Sequence, residues 1–181
     1  MPFHEEFGSS QKYFSDSLSE TSKTFHHSLK NDFKRFFGSN RKGCDVILRH
    51  KNKDFPVHKS LLCCKSPVFI AMFENDMKER EREMKFGIVE MDDTDSLALS
   101  HFVEYLYVGS GKNSTLDLDS AMSLYAIAHR CSILDLINYS RQFLVLNMDC
   151  RDIDEILRFA NLYEDRSLNI MIDYFFYQTE D

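Results

Sequence analysis

Three residues whose side chains can exchange protons stand near one another in the first third of the chain. Asp45 opens one apolar segment, and His58-Lys59 follows the next. A carboxylate, an imidazole and an amine brought to one end of a fold are the components of an acid–base catalytic site. A structural role is favoured over catalysis, because Asp45 opens a predicted strand and His58-Lys59 opens a predicted helix. Charges buried there must be matched by partners within the fold.

The cysteines are a second possible source of chemistry. Cys63 and Cys64 lie close to His58, but the sequence has no CxxC or HxxxH spacing, and neighbouring cysteines on a helix point in different directions. We therefore predict no catalytic thiol, no metal site and no cofactor, with Cys63 and Cys64 as buried free cysteines. The odd total of five, without the spacing of a disulfide scaffold, favours reduced thiols in the nucleus or cytoplasm.

Composition and charge exclude several classes of function. The 181 residues carry 22 Lys and Arg against 29 Asp and Glu, and the basic residues alternate with acids, as in Lys78–Glu83, instead of forming a patch for nucleic acid. The sequence has no apolar run of about eighteen residues that would predict a membrane span. Its N-terminus lacks the apolar core of a secretory signal. It also has no Gly-rich phosphate loop and no nucleophile–base spacing. We expect a non-enzymatic, intracellular protein with no nucleic-acid or membrane partner.

Alternating apolar residues predict a β-hairpin in the first half of the chain. Cys44–His50 is the first strand, Lys51–Asp54 is a polar turn, and Asp54–Val57 is the second strand. Because proline cannot donate to a sheet ladder, Pro56 indicates an edge strand or a strand end.

The following residues predict two short helices and a charged loop. His58–Cys64 forms the first helix, and Ser66 caps the second, with Pro67 at its first position. The chain becomes strongly charged after Phe73 and stays so until Lys85, which predicts a solvated loop.

A third strand and five more helices are predicted after that loop. The strand starts at Phe86 and runs towards Glu90, Asp92–Asp95 supplies helix caps, and Gly109 ends the first helix. The apolar stripes of the five helices contain, in order, Leu99, Phe102, Val103 and Leu106; Ala121, Leu124, Tyr125 and Ala128; Leu134, Ile137 and Leu144; Ile153, Ile156, Leu157 and Ala160, with Asp149 as a cap; and Leu168, Met171, Ile172 and Phe175.

An ordered set of short sequence blocks resembles the BTB/POZ domain, and within it the speckle-type POZ and "TD and POZ" proteins. Each block alone is weakly specific, whereas together and in this order they are strongly so. The resemblance extends from about Leu29 to Phe176. The blocks are Asp45-Val46, Phe55–Leu62, Ser66–Phe69, Ala71–Phe73, Asn75–Glu79, Tyr105–Tyr107, Ala126–Ala128 and Ile156–Leu162.

The resemblance implies an α+β architecture with the BTB/POZ fold, in which a cluster of short helices flanks a small sheet. Three regions are predicted, the first of them from its polar, Ser-rich composition and the lack of a sustained apolar period. Residues 1–24 form a flexible polar tail, residues 25–146 form the BTB/POZ domain, and residues 147–181 form a C-terminal helical-hairpin extension similar to a BACK or 3-box region.

The function implied by the resemblance is that of a homodimeric, non-catalytic adaptor of a cullin-3 RING ubiquitin ligase. Such an adaptor promotes ubiquitination and proteasomal degradation of a substrate, which the sequence does not identify. The motif linked to cullin binding is a hydrophobic residue, any residue and then Glu, here Met77-Lys78-Glu79. Ile88-Val89-Glu90 and Leu162-Tyr163-Glu164 match the bare pattern too, so the position after Met72-Phe73 carries the assignment. Without the resemblance, Met77 is a core gap filler and Glu79 a solvated charge.

The resemblance also implies a dimer interface and a charged pocket beside it. A helix over Phe25–Phe37 is dense in apolar residues, and Leu29, Phe33, Phe36 and Phe37 are expected to pack across the dimer axis. The alternative is that this helix packs on its own subunit. Asp45, His58 and Lys59 match the charged-pocket positions.

One departure from the speckle-type group is large. Its members carry a substrate-binding MATH domain ahead of the BTB domain, and the segment preceding Phe25 is too short for one. A second functional hypothesis therefore stays open. In it the chain is a BTB dimerisation module without ligase recruitment, either associated with transcription or competing with longer BTB proteins.

Overall fold

The computed structural model describes residues 20–25, 27–29, 31, 32, 35, 43–80, 87–109 and 116–179, with the backbone alone for residues 75–80 and 176–179. Within these ranges a three-stranded sheet is accompanied by helices, which confirms the predicted α+β class.

The sheet is built around a central strand that buries alternate residues. Strand β1 (Val46–His50) pairs antiparallel with β2 (Lys53–Val57) and parallel with β3 (Gly87–Glu90), giving the order β2-β1-β3. Val46, Leu48 and His50 are buried, as the period of two requires for the core-facing side of a strand.

The hairpin turn is shorter than predicted. Strand β2 begins at Lys53, so Lys51 and Asn52 make a two-residue turn, with Lys51 at a φ of 52°. The Asp92 carboxylate accepts a hydrogen bond from the Lys51 amide at 2.8 Å. Pro56 lies opposite Ile47 in β2, which is at the edge of the described sheet, as predicted.

Two consecutive helices follow the hairpin, and the second is longer than the sequence indicated. Helix α1 covers Lys59–Lys65 and helix α2 covers Pro67–Arg80. The predicted cap at Ser66 is confirmed, because its hydroxyl accepts from the Phe69 amide at 3.2 Å, while donating to the Cys131 carbonyl at 2.6 Å.

The prediction of a charged loop directly after Phe73 was wrong, since the helix continues to Arg80. The residues Glu74, Met77, Lys78 and Glu79 are good helix formers, and neither Gly nor Pro interrupts them. A high charge density marks a segment as solvated, but it does not stop a helix.

Three further helices follow the third strand along the chain. Helix α3 (Ser96–Val108) begins at the cap Asp95, and Gly109 ends it at a φ of 71°. Helices α4 (Leu118–Arg130) and α5 (Leu134–Asn147) follow. The predicted α3 stripe is confirmed, since Leu99, Phe102, Val103 and Leu106 are all buried.

The last two described helices, α6 (Ile153–Leu162) and α7 (Arg166–Thr179), form the expected hairpin. Their buried residues Ile153, Ile156, Ala160, Leu168 and Ile172 belong to the same hydrophobic core as α3–α5. The hairpin is therefore packed as part of one core.

The start of α6 differs from the prediction in its cap. Asp152, not Asp149, is the N-cap residue. The Asp149 carboxylate instead accepts from the amide and guanidinium of Arg151, because these groups are closer along the chain than the helix amides. The guanidinium lowers the pKa of Asp149 to about 2.

The first described residue, Glu20, is already helical, ahead of the predicted helix start at Phe25. The described side chains of this N-terminal helical segment are exposed, so an apolar period does not mark where it begins. Residues 1–19 of the predicted tail lie outside the described residues.

Candidate functional site

The structure brings Asp45 and Lys59 into contact where β1 and α1 begin. The Asp45 Oδ1 atom accepts a hydrogen bond from the backbone amide of Lys59 at 2.7 Å. His58 is the N-cap residue of α1 by position but makes no side-chain cap bond. Asp45, the residue before β1, therefore acts as a cap supplied from outside the helix, and it is exposed.

His58 is held by a residue that the sequence argument did not assign to this site. Its Nδ1 atom lies 2.6 Å from the Tyr107 hydroxyl, which also accepts from the His58 amide at 3.2 Å. The Cys44 thiol lies 3.8 Å from the same Nδ1 and 4.0 Å from the hydroxyl. Tyr107 sits in α3, forty-nine positions away, and nothing in the local sequence links the two.

The ammonium group of Lys59 contacts an aromatic ring. Its Nζ atom lies 4.9 Å from the centre of the Phe73 ring, a cation–π contact between α1 and α2. Phe73 in turn stacks on Phe69 at 5.9 Å. Asp45, His58 and Lys59 thus join β1, α1, α2 and α3, an arrangement suited to fixing the junction of these elements.

The predicted cullin-binding residues Met77, Lys78 and Glu79 lie in the C-terminal part of α2, not in a loop. Their side chains are outside the described atoms. Earlier in the same helix, Phe69 and Phe73 are buried, while Ile70 and Met72 are exposed. Because positions 70 and 72 are about 200° apart around the helix axis, Ile70 and Met72 lie on opposite sides of the buried face that Phe69 and Phe73 form.

The predicted dimer residues are described in part. Leu29 lies in the N-terminal helical segment and is 42% exposed, and Phe25 in the same segment is 63% exposed. Phe33, Phe36 and Phe37 lie outside the described residues.

The cysteines are all free thiols. Cys63 is half-buried and Cys64 is exposed, so the prediction that both are buried was wrong for Cys64, which α1 turns towards solvent. Burial raises the pKa of Cys131 to about 11, which keeps this thiol protonated at neutral pH. Among the described residues no three His, Cys, Asp or Glu side chains are grouped as metal ligands.

The described helices include none that is long and apolar enough to cross a membrane.

Comparison with curated proteins gives two partial relatives. The chain is 36% identical over 93 residues to a BTB/POZ domain-containing protein of Arabidopsis thaliana, an overlap of 51% of this chain and 35% of that protein. It is 33% identical over 125 residues to human Kelch-like protein 28, an overlap of 69% of this chain and 21% of that protein. The chain therefore spans about a third and about a fifth of these relatives' lengths. Neither name belongs to the speckle-type group, so that finer assignment stays a prediction.

Among solved structures, the BTB domain of zebrafish PATZ1 matches with a TM-score of 0.49 and 20% identity, over 68% of this chain and 91% of that one. The family profile of the BTB/POZ domain matches residues 33–148. With nearly two thirds of its residues inside that match, this chain belongs to the BTB/POZ family.

Proposed function

We propose that this chain is a homodimeric adaptor that docks cullin-3 and presents a substrate, whose identity is open, to a RING ubiquitin ligase in the nucleus, the cytoplasm or both. BTB/POZ domains are protein-interaction modules that self-associate, and the family is generally non-catalytic. The observation that carries the proposal is the family match over residues 33–148. The speckle-type character, with residues 25–146 as the BTB/POZ domain and 147–181 as a BACK-like extension, is part of the proposal.

The proposed cullin contact is centred on Met77, Lys78 and Glu79. Positions seven apart lie on the same face of a helix, so the exposed Ile70 shares a face with position 77, and the exposed Met72 shares one with position 79. An apolar tip that fills a pocket on the partner supplies contact area, and a carboxylate two positions further along the helix supplies a directional hydrogen bond on its other flank. The exposure of Ile70 and Met72, one on each flank of the buried face of α2, supports this assignment.

Titration calorimetry against the N-terminal domain of cullin-3 tests the proposal. Wild type is expected to bind with micromolar affinity or better, and Met77→Ala and Glu79→Ala are each expected to weaken binding about tenfold, equivalent to about 1.4 kcal/mol. No binding by wild type contradicts the adaptor function, while unchanged affinity of both variants contradicts the assigned contact.

A matched control comes from the same bare motif elsewhere in the chain. Glu90 ends the pattern Ile88-Val89-Glu90 on β3 and is exposed. Glu90→Ala makes the same chemical change as Glu79→Ala and is expected to leave cullin-3 affinity unchanged. A loss equal to that of Glu79→Ala would mean that overall charge, not position, governs binding.

A second candidate function is dimerisation without ligase recruitment. The exposure of Phe25 and Leu29 favours it, because an apolar helix face at the surface indicates a protein partner. A dimer in light scattering that Phe33→Asp converts to monomer, together with absent cullin-3 binding, would select this candidate. A monomeric wild type would remove both candidates.

A further inference from the structure

Asp165 is a buried carboxylate at the turn between α6 and α7. Its side chain is 2% exposed. The Oδ2 atom accepts a hydrogen bond from the Tyr125 hydroxyl at 2.6 Å and another from Arg141 Nε at 2.6 Å. The Oδ1 atom accepts from the Leu168 amide at 3.1 Å, in the first turn of α7. One side chain thus joins α4, α5 and α7.

The three donors compensate for the burial of this charge. A carboxylate removed from water is strongly disfavoured unless donors replace the water. Burial alone raises the pKa of Asp165, but the hydrogen bonds from Arg141, Tyr125 and the Leu168 amide outweigh it and hold the pKa below the usual range. Because each donor must point at the same two oxygen atoms, the bonds constrain the direction of the hairpin as well as its distance.

The same residue of α4 also makes the neighbouring apolar contact. The Tyr125 ring makes T-shaped contacts with the rings of Phe159 and Tyr163, with ring centres 5.2 Å and 5.1 Å away. Tyr125 therefore contacts α6 through its ring and Asp165 through its hydroxyl. The polar and apolar contacts between the helical hairpin and the BTB helices meet at this point.

We propose that Asp165 is a positioning residue that fixes the α6–α7 hairpin on α4 and α5, and that the hairpin's contribution to partner binding depends on it. The hairpin presents Leu162, Ile170 and Tyr174, which are all strongly exposed. Their placement relative to α2 is set by how the hairpin is held. The partner part of this inference rests on the proposed cullin-3 function, and the positioning part does not.

Hydrogen–deuterium exchange on the full chain tests the positioning role. In Asp165→Asn, amides of α6 and α7 are expected to exchange at least tenfold faster than in wild type, while those of β1 and α3 keep their rates. Asp173→Asn, the same change at an exposed position of α7, is the control and should leave all rates unchanged. Unchanged exchange in the hairpin, or equal acceleration throughout the chain, would overturn the proposal.

A milder variant guards against misfolding of the first one. Tyr125→Phe keeps the ring and its contacts with Phe159 and Tyr163 but removes one donor to Asp165. The same regional acceleration is expected at a smaller amplitude. If Tyr125→Phe exchanges like wild type, the hydroxyl contact does not hold the hairpin.

Calorimetry separates this inference from the proposed function. If wild type binds cullin-3, Asp165→Asn is expected to bind several-fold more weakly while its light-scattering mass stays that of wild type. Equal affinity of the two proteins would overturn the link between hairpin and partner. If wild type does not bind, the proposed function and this link fail together, and the exchange result alone decides the positioning role.

Discussion

Asp45 shows what residue types and spacing reveal about a site and what they leave out. Asp45 lies at the start of a strand, and His58-Lys59 lies at the start of a helix. These positions were enough to predict that the three residues lie close together at one end of the fold. The sequence did not reveal that Asp45 accepts from the Lys59 backbone amide. That contact depends on where β1 lies relative to α1, and side-chain types carry no such information.

Two substitutions at Asp45 separate a capping role from a charge role. Asp45→Ala is expected to destabilise the chain by about 1 kcal/mol, the usual effect of losing a helix cap. Asp45→Asn retains an oxygen acceptor and is expected to keep most of that stability. Urea unfolding of the three proteins is the measurement. If Asp45→Asn loses as much as Asp45→Ala, the negative charge matters and not the cap.

Tyr107 is the residue of this junction that sequence reasoning missed. The sequence reasoning used it only as part of the Tyr105–Tyr107 block. A helical apolar stripe predicts which residues are buried, but it does not predict which buried hydroxyl hydrogen-bonds to a histidine far away in the sequence. The partner of His58 is set by the packing of α3 against the start of α1.

At the scale of elements, helix-capping and helix-terminating residues predicted helix ends correctly, whereas charged composition did not. Ser66, Pro67, Asp95 and Gly109 mark helix ends by backbone chemistry, and the structure confirms each. The end of α2 has no such residue, so its charged composition was taken for a loop. As a result, the residues of the proposed cullin motif were predicted to lie in a loop, whereas they lie in α2.

The α6–α7 hairpin is expected to loosen in acid because of Asp165. A carboxyl whose folded pKa is lowered contributes stability that is fully present above its unfolded pKa of about 3.9 and is lost as pH falls through the folded pKa. Asp165→Asn is therefore expected to be less stable than wild type by about 2 kcal/mol at pH 7, with the difference shrinking below about pH 4.

Urea unfolding of both proteins across this pH range measures that difference. Asp173→Asn serves as the control, because its exposed carboxylate should produce no comparable gap. A wild-type advantage over Asp165→Asn that stays constant down to the lowest pH would contradict the assigned role of the charge.

For the whole molecule, the sequence predicted which helices and strands form better than it predicted how they pair and pack. The hairpin of β1 and β2 followed from local alternation, but the parallel pairing of β1 with β3 joins strands separated by two helices, and no local signal gives that register. The α6–α7 hairpin shares one hydrophobic core with α3–α5. Its apolar stripes predicted that one face of each helix is buried, but they carry no information about which elements cover that face.

The central claim concerns assembly, and the mass of the assembled particle tests it most directly. Light scattering coupled to size exclusion should give the chain alone a mass of twice 21.3 kDa. Mixed with the N-terminal domain of cullin-3, it should give a single species containing two copies of each protein. A chain that elutes as a 21.3 kDa monomer, or a dimer that elutes apart from cullin-3, would contradict the account.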